Sequence, residues 1–257
     1  MRRFAEMDST NRYLLDEARA GAAEGVVVVA DHQTAGRGRL GRTWTAPPGS
    51  SLLMSVLLRP ALSPARLHLA TAAMALAAAD SCEALSGVRP ALKWPNDLII
   101  RDLIIRDLVI GEAKLAGVLA EAELPAVVVG LGLNLTWPPS GSRNDTRTMS
   151  FRLPGAGPGG AVALSDVAGR SIDASDLLDR LLVGLGALVA DWDAVSTRYR
   201  HACATVGRRV RVTLAGGDDA FTGTAVEVTE DGYLCVDTGG GVRVVSAADV
   251  VHLRPAP

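Results

Sequence analysis

The distribution of apolar and polar positions divides the first 200 residues into alternating helices and strands. Four apolar runs predict buried strands, at residues 26–30, 51–58, 118–120 and 127–133. An Ala- and Leu-rich stretch at 64–85 predicts a helix that ends near Gly87, because glycine is the preferred residue just beyond a helix C-terminus. This alternation predicts an α/β body.

Capping residues predict two more helices. Asp8, Ser9, Thr10 and Asn11 are all favoured N-cap types, and they precede a helical stretch that ends at Gly21. Asp173 or Ser175 is expected to cap a helix that continues to about residue 200. Residues 138–160, which are rich in Pro, Gly and Ser, predict a long loop.

The pattern changes at Val206. Five short strand-like segments follow, separated by turn residues that include the hairpin signal Asp231-Gly232. Five strands in about 50 residues predict a small β-barrel. We therefore predict two domains, an α/β body over residues 1–204 and a barrel over residues 205–257.

Composition and charge argue against several classes of protein. No window reaches the ~18 apolar residues of a membrane helix, and the two arginines at the start have no apolar run behind them, which argues against a signal peptide. A net charge of −2 gives no general attraction to nucleic acid or anionic lipid. Three widely spaced cysteines, Cys82, Cys203 and Cys235, exclude a disulfide framework and predict a cytoplasmic protein.

Lysine is scarce in this chain. Of 26 basic residues only Lys93 and Lys114 are lysine, and codon bias explains most of the arginine excess. A position that needs only positive charge would be filled by arginine under that bias, whereas an ammonium is a compact point charge that a planar guanidinium cannot replace. Both lysines are therefore candidates for chemistry.

The segment GRGRLG, residues 36–41, matches a dinucleotide-binding pattern but is followed by prolines and a strand instead of a helix. Its glycines let backbone N–H groups converge on an anion, and Arg37, Arg39 and Arg42 supply donors for carboxylate or phosphate. The alternative is a solvated Arg-Gly loop of the RNA-binding kind. A single copy between two buried strands favours an anion site.

Three further segments combine polar groups with glycine or proline. KWPND, residues 93–97, places a lysine, an amide and a carboxylate on a stiff turn, suited to phosphate and metal or to a structural salt bridge. KLAGVLAE, residues 114–121, puts Lys114 just ahead of a strand, and GLGLN, residues 130–134, ends one. Their glycines permit close approach of a ligand. The four histidines show no metal spacing, and we expect them to be structural or at the surface.

Taken in order, DSTN, HQTAGRGRLGRTW, KWPND, KLAGVLAE and GLGLN resemble the motifs of bacterial biotin protein ligases, and the terminal strands resemble the C-terminal domain of that family. The resemblance implies a mixed α/β sheet with flanking helices, like that of class II aminoacyl-tRNA synthetases, plus an SH3-like barrel. It implies that biotin and ATP form biotinoyl-5′-AMP and pyrophosphate. A lysine of a biotin carboxyl carrier domain then attacks the mixed anhydride and releases AMP.

Roles for individual residues follow from the same resemblance. The residues it implies for biotin binding are Ser9, Thr10, Asn11, Gln33, Gly36, Arg37, Gly38, Lys114 and Gly117. Those it implies for the nucleotide are Arg37, Arg39, Arg42, Trp44, Lys93, Asn96 and Asn134. Lys114, Arg39 and Asp97 are the expected catalytic residues, and Lys114 is expected to bridge the biotin carboxylate and the α-phosphate. Asp97 either lies near Mg²⁺ or orients the incoming amine.

The sequence departs from the family pattern in two places. DSTN begins at residue 8, so we expect no N-terminal helix-turn-helix domain and no DNA binding. LIIRD occurs twice, at 98–102 and 103–107, and this ten-residue insertion separates Asp97 from Lys114 by 17 positions instead of seven. We expect it to extend a hairpin at the sheet edge, with its charged residues, Arg101, Asp102, Arg106 and Asp107, toward solvent.

Competing functions make distinct predictions. A lipoate ligase shares the catalytic fold but does not usually carry GRGRLGRTW and KWPND. An RNA-binding module using the Arg-Gly loop predicts salt-sensitive RNA affinity and no adenylate. The expected partners are biotin, ATP with Mg²⁺, and the carrier domain of an acyl-CoA carboxylase, without membrane association. The expected oligomeric state is monomer or homodimer.

Overall fold

The fold is described from a computed structural model of the chain. It describes residues 1–105, 108–137, 160–214 and 219–253, with the backbone alone for 102–105 and 108–110. The predicted loop at 138–160 therefore lies, except for Gly160, outside the described residues. Within the described part of the chain, no helix combines the length and apolar character needed to cross a membrane.

A seven-stranded mixed sheet forms the centre of the protein, in the order β1-β2-β3-β7-β6-β5-β4. Its strands are β1 Arg2–Met7, β2 Val27–Gln33, β3 Ser51–Leu58, β4 Ala91–Lys93, β5 Asp97–Ile105, β6 Leu108–Glu123 and β7 Ala126–Asn134. β1 pairs with β2 in parallel, and the other neighbours pair antiparallel. The apolar runs predicted as central strands are indeed central, as parts of β6 and β7.

Helices cover both faces of this sheet. They are α1 Thr10–Arg19, α2 His68–Ser86, α3 Leu164–Ala168, α4 Ala174–Leu188 and α5 Trp192–Ala202. Because side chains alternate along a strand, Val28 and Val128 pack against α1, whereas Val27 and Val129 join the larger core with α2 and α4. The predicted N-cap of α1 is confirmed, because the Ser9 side chain accepts the N–H of Arg12. The predicted end of α2 is confirmed as well, because the helix stops at Gly87 in the left-handed conformation.

Three expectations about local structure were wrong. β1 was not predicted, because it is an edge strand whose exposed positions give no apolar run. The single helix expected from Asp173 to about residue 200 is two helices, because the Asp191 carboxylate accepts the N–H groups of Asp193 and Ala194 and starts α5. Lys114 lies inside β6 and not ahead of a strand.

The duplicated segment extends the β5–β6 hairpin as predicted. Pairing continues from Asp97 opposite Gly117 to Ile105 opposite Leu108, with register shifts that leave residues 101 and 102 unpaired in the ladder. β4 pairs only with residues 97–99, so the rest of β5 is an edge. Arg101 is exposed as expected, the side chain of Asp102 is not described, and Arg106 and Asp107 lie outside the described residues.

The last five predicted strands form a separate antiparallel sheet in the order β11-β10-β9-β8-β12. They are β8 Arg209–Leu214, β9 Ala220–Val228, β10 Leu234–Asp237, β11 Val242–Val245 and β12 Ala248–His252. The pairings among the described residues do not join β11 to β12, so the structure supports the sheet while barrel closure stays a prediction. Val210 and Leu234 belong to the same core cluster as α2, so this sheet packs directly on the body.

Candidate active site

A cleft lies on the α1 face of the main sheet, and glycines form its floor. Gly117, Gly130 and Gly132 project no side chain into it. A Cβ on Gly130 would lie 2.1 Å from the Asn11 side-chain oxygen, and one on Gly132 would lie 2.6 Å from the indole of Trp44. Glycine is required at both positions because these two side chains rest directly on the backbone of β7.

The end of the cleft at the start of α1 is uncharged and dense in hydrogen bonds. Ser55 Oγ lies 2.6 Å from Asn11 Oδ1 and 2.7 Å from Thr10 Oγ1. The amide oxygen of Asn11 can only accept, so the single Ser55 hydroxyl hydrogen goes there. The Thr10 hydroxyl then donates its hydrogen either to Ser55 or to Gln33 Oε1, which lies 3.1 Å away. The Gln33 side-chain oxygen accepts the backbone N–H of Thr10 at 2.7 Å. Thr10 Oγ1 can therefore accept a hydrogen bond from a donor on a ligand.

A carboxylate joins this uncharged end to the Arg-Gly loop. Glu121 accepts the Asn11 amide at 2.9 Å through one oxygen and pairs with Arg37 at 2.9 Å through the other. The Asn11 amide also donates to the backbone oxygen of Leu119, which fixes its orientation. Arg37 is half-exposed, so this pair contributes little to stability, but it fixes where the arginine lies.

The other loop arginines contact the C-terminal sheet. Arg42 pairs with Asp249, and Arg39 makes long contacts of 3.4 Å to Asn96 Oδ1 and 3.3 Å to the backbone oxygen of Ala248. Burial lowers the pKa of Arg39, the nearby Asp97 raises it in part, and the Arg42 charge lowers it further. The buried Arg39 guanidinium would therefore be stabilised by an anionic ligand.

Five cationic side chains line the cleft, namely Arg37, Arg39, Arg42, Lys93 and Lys114. Four of them have a carboxylate oxygen within 4.0 Å. Arg39 has none among the described residues. It is thus the cation in the cleft that is most available to an anionic ligand.

The position of Lys114 is fixed by hydrogen bonds of its backbone and by contacts of its side chain. Its N–H donates to Gly160 O and its carbonyl accepts from Val162, both at 3.0 Å. Its Nζ lies 2.6 Å from Asp97 Oδ1 and 5.6 Å from the centre of a Trp44 ring. The ten-residue insertion therefore leaves Lys114 beside Asp97 in the cleft, because the extra residues are taken up in the hairpin beyond it.

Comparison with known proteins identifies the family. A profile described as "Biotin/lipoate A/B protein ligase family" matches residues 4–134, and one described as "Biotin protein ligase C terminal domain" matches residues 205–253. The biotin--[acetyl-CoA-carboxylase] ligase of Mycobacterium tuberculosis is 39% identical over 97% of this chain and 88% of that protein. The chain belongs to the biotin protein ligase family. It is an enzyme of the ligase class, as the motifs predicted.

Other members of the family support the same assignment. The bifunctional ligase/repressor BirA of Bacillus subtilis is 26% identical over 95% of this chain and 71% of that protein. The fold resembles the structure titled biotin protein ligase from Aquifex aeolicus in complex with biotin and ATP, with a TM-score of 0.77, 23% identity and 98% of each chain covered. The mixed α/β architecture of the family is therefore confirmed.

The structure brings most of the predicted biotin ligase site residues together. The predicted residues that line the cleft are Ser9, Thr10, Asn11, Gln33, Arg37, Gly38, Arg39, Arg42, Trp44, Lys93, Asn96, Asp97, Lys114 and Gly117. Gly36 and Asn134 do not line it. A Cβ on Gly36 would lie 2.4 Å from Trp44 O, and the buried Asn134 amide contacts Val162 O and Lys114 O at 3.3 and 3.5 Å. Both residues therefore contact the residues that line the cleft or their neighbours without lining it themselves.

Several residues of the site were not predicted. Glu121 ends a motif that was recognised, yet its carboxylate was given no role. Ser55 is a fully buried hydroxyl within an apolar strand, and that interruption of the apolar run was a usable signal. Asp249, Val250 and Val251 reach the cleft from β12, and nothing local in the sequence indicates it.

Metal ligands are sparse in this region. The described residues contain no group of three or more His, Cys, Asp or Glu side chains able to hold a metal ion. Magnesium usually keeps several waters and binds through one or two carboxylates plus substrate phosphates. The donor set fits a cation that arrives with a nucleotide, with Asp97, which lines the cleft beside Lys114, as a carboxylate that could contact it.

Proposed function

We propose that this enzyme uses ATP to activate biotin as biotinoyl-5′-AMP and then transfers the biotinoyl group to a lysine of a biotin carboxyl carrier domain. The observation that carries the proposal is one cleft with two chemically different ends. One end offers uncharged hydroxyl and amide groups bordered by Arg37, and the rest of the cleft is lined by Arg39, Arg42, Lys93 and Lys114. Such a cleft suits a ligand with a neutral polar ring at one end and a carboxylate to be joined to phosphate at the other.

The uncharged end fits the ureido ring of biotin. A urea group presents one carbonyl acceptor and two N–H donors. The acceptor capacity of Thr10 Oγ1 complements an N–H, and the Ser9 hydroxyl can donate to the carbonyl, since Ser9 otherwise only accepts from Arg12 at 3.5 Å. The Gln33 amide and Arg37 would complete the biotin site.

The cationic end fits ATP and the acyl phosphate. Arg39, with no carboxylate partner among the described residues, would bind phosphate together with Arg42 and Lys93. Lys114 would leave Asp97 and stabilise the negative charge that develops between the biotin carboxylate and the α-phosphate. Asn96 and Asp97 then either contact the nucleotide-borne magnesium ion or orient the attacking amine.

Trp44 offers two kinds of contact to a ligand in the cleft, packing against its ring and a hydrogen bond from its indole N–H. Its indole lies on Gly132, and its buried N–H has no hydrogen-bond partner among the described residues. A buried donor without an acceptor is costly, so a ligand atom that accepts this hydrogen bond would be favoured. We propose that the adenylate packs against this ring.

The remaining assignments are part of the same proposal. The carrier domain belongs to an acetyl-CoA or related acyl-CoA carboxylase, in keeping with the name of the mycobacterial relative. Residues 1–204 form the catalytic domain and residues 205–257 an SH3-like barrel. The enzyme acts in the cytoplasm, as a monomer or homodimer, without binding DNA.

Mass spectrometry of the protein incubated with biotin, ATP and Mg²⁺ tests this function. Biotinoyl-AMP is expected, and lipoate in place of biotin should give no adenylate. Formation of lipoyl-AMP alone would make the chain a lipoate ligase, and formation of neither adenylate would refute the proposal.

A further inference from the structure

A buried network next to the cleft involves residues that do not line it. His252, at the end of β12, lies 2.7 Å from Glu112 Oε1 through Nδ1 and 3.0 Å from Thr205 Oγ1 through Nε2. The His252 side chain is only 5% exposed. Glu112 belongs to β6 and lies two residues before Lys114, so the network joins the C-terminal sheet to the strand that carries the catalytic lysine.

Hydrogen counting fixes the direction of the hydrogen bond between His252 and Glu112. The Glu112 carboxylate only accepts, so Nδ1 of His252 carries a hydrogen and donates it. Nε2 lies against Thr205 Oγ1, which also accepts the backbone N–H of Trp94 at 3.0 Å. His252 thus holds Glu112 on one side and, through Thr205, the turn after Lys93 on the other.

Glu112 has a second cationic neighbour in the cleft. Its Oε2 lies 4.0 Å from the Nζ of Lys93, at the outer limit of an ion pair. Burial raises the pKa of Glu112, but the His252 hydrogen bond and charge, with the charges of Lys93 and Arg208, outweigh it and lower the pKa overall. The carboxylate is therefore ionised at neutral pH and is attracted to Lys93, while its short contact is with His252.

We propose that His252 is a positioning residue that restrains Glu112 and so leaves the Lys93 ammonium available to an anionic group in the cleft. The inference rests on the proposed function in taking that group to be the triphosphate of ATP. When the restraint is removed, Glu112 turns to Lys93 and neutralises it. Binding of phosphate then weakens, while the biotin end of the cleft is unaffected.

Two amide substitutions of matched chemistry separate this role from a merely structural one. The side-chain nitrogen of Asn occupies roughly the place of histidine Nδ1, and that of Gln roughly the place of Nε2. His252→Asn therefore retains the donor to Glu112 and should leave the KM for ATP close to that of the wild type. His252→Gln retains the contact to Thr205 but releases Glu112, and should raise the KM for ATP about tenfold without changing the KM for biotin.

A second substitution should reverse the effect. In His252→Gln/Glu112→Gln the residue facing Lys93 is neutral, so the KM for ATP should return to within about twofold of the wild type. Thermal unfolding of each variant shows whether it is folded. Equal effects of Asn and Gln on the KM for ATP, or no recovery in the double variant, would overturn the proposal, as would a rise in both KM values together.

A binding measurement separates this inference from the proposed function. Calorimetric titration with inorganic pyrophosphate reports the availability of Lys93 whether or not the enzyme makes biotinoyl-AMP. We expect His252→Gln to bind pyrophosphate about tenfold more weakly than the wild type and than His252→Asn. Equal affinities in all three proteins would refute the role of His252, whereas absence of the adenylate in the wild type would refute only the function.

Discussion

Deletion of residues 98–107 tests whether the duplicated segment has a role in the reaction. After deletion, Asp97 is followed by Leu-Val-Ile, residues 108–110, in place of Leu-Ile-Ile, residues 98–100. The original three are 0%, 3% and 6% exposed, and the replacements have nearly the same shape and polarity. The deletion should therefore refill the same buried positions.

The register of the hairpin also predicts how the shortened chain turns. Ile100 pairs with Ala113, so residue 110 would come to lie opposite Ala113 with only Gly111 and Glu112 between them. A two-residue loop with glycine first is the sequence of a type II′ turn, and Gly111 already has a φ of 80°. Lys114 then keeps its place opposite the residue at position 99.

The expected magnitudes are small. The part of β5 that is lost without replacement, residues 101–105, pairs with β6 only. Such a two-stranded extension is marginal in water, so the free energy of unfolding should change by less than about 1 kcal/mol. In a chain of this size that corresponds to a change in Tm of no more than about 2–4 °C. The adenylation rate should stay within about threefold of the wild type or rise. Solubility should improve, because an apolar repeat on a strand edge favours aggregation.

The two half-reactions must be measured separately. Pyrophosphate exchange reports adenylation, and single-turnover transfer from isolated enzyme-bound adenylate reports attack by the carrier lysine. A variant lacking only residues 103–107 is the control, because it keeps residues 98–100 in place. Normal adenylation with failed transfer in the full deletion would refute our reasoning and show that the segment contacts the carrier domain.

Three substitutions test the assigned roles. Lys114→Arg should lower the adenylation rate about 10²–10³-fold while biotin binding stays measurable, because a planar fork cannot occupy the point that Nζ holds; adenylation within about threefold of the wild type would remove Lys114 from the reacting centre. Arg39→Ala should weaken retention of biotinoyl-AMP far more than retention of biotin, measured by dialysis of each complex, and equal losses would contradict phosphate binding. Ser55→Ala should raise the KM for biotin about tenfold and leave the KM for ATP unchanged, because Asn11 Oδ1 loses its hydroxyl donor and Thr10 loses its contact with Ser55; a change in the KM for ATP alone would contradict this role of Ser55.

Elements with strong local signals could be predicted from the sequence. β3 is an apolar run interrupted only by Ser55 after its first residue, α1 begins with a capping serine, and α2 ends at a left-handed glycine. The break between α4 and α5 could not be predicted in the same way. No glycine or proline marks it, and it depends on Asp191 capping a second helix, which an aspartate in a helical stretch does not by itself indicate.

The candidate site likewise contains residues that the sequence could predict and residues that it could not. The motif residues were predictable because glycine, lysine and amide groups occur together within short segments. Their partners were not, because they come from distant parts of the chain: Glu121 is 110 residues from Asn11, and His252 is 140 residues from Glu112. Periodicity describes which face of an element is buried, but it carries no information on which charged group lies opposite.

The C-terminal sheet lines the cleft and also makes polar contacts with the residues around it. Asp249 neutralises Arg42, the backbone oxygen of Ala248 contacts Arg39, and the Trp94 indole donates to Gly232 O at 2.9 Å. The charge of Arg42 in the Arg-Gly loop is therefore balanced by a residue about two hundred positions later in the sequence. Since β8 and β10 also share one apolar core with α2, separating the two units would expose that core and unpair the loop at the same time. The strands of the main sheet come before residue 204 and those of the C-terminal sheet after it, while catalysis by the proposed mechanism would require residues from both sides of that position.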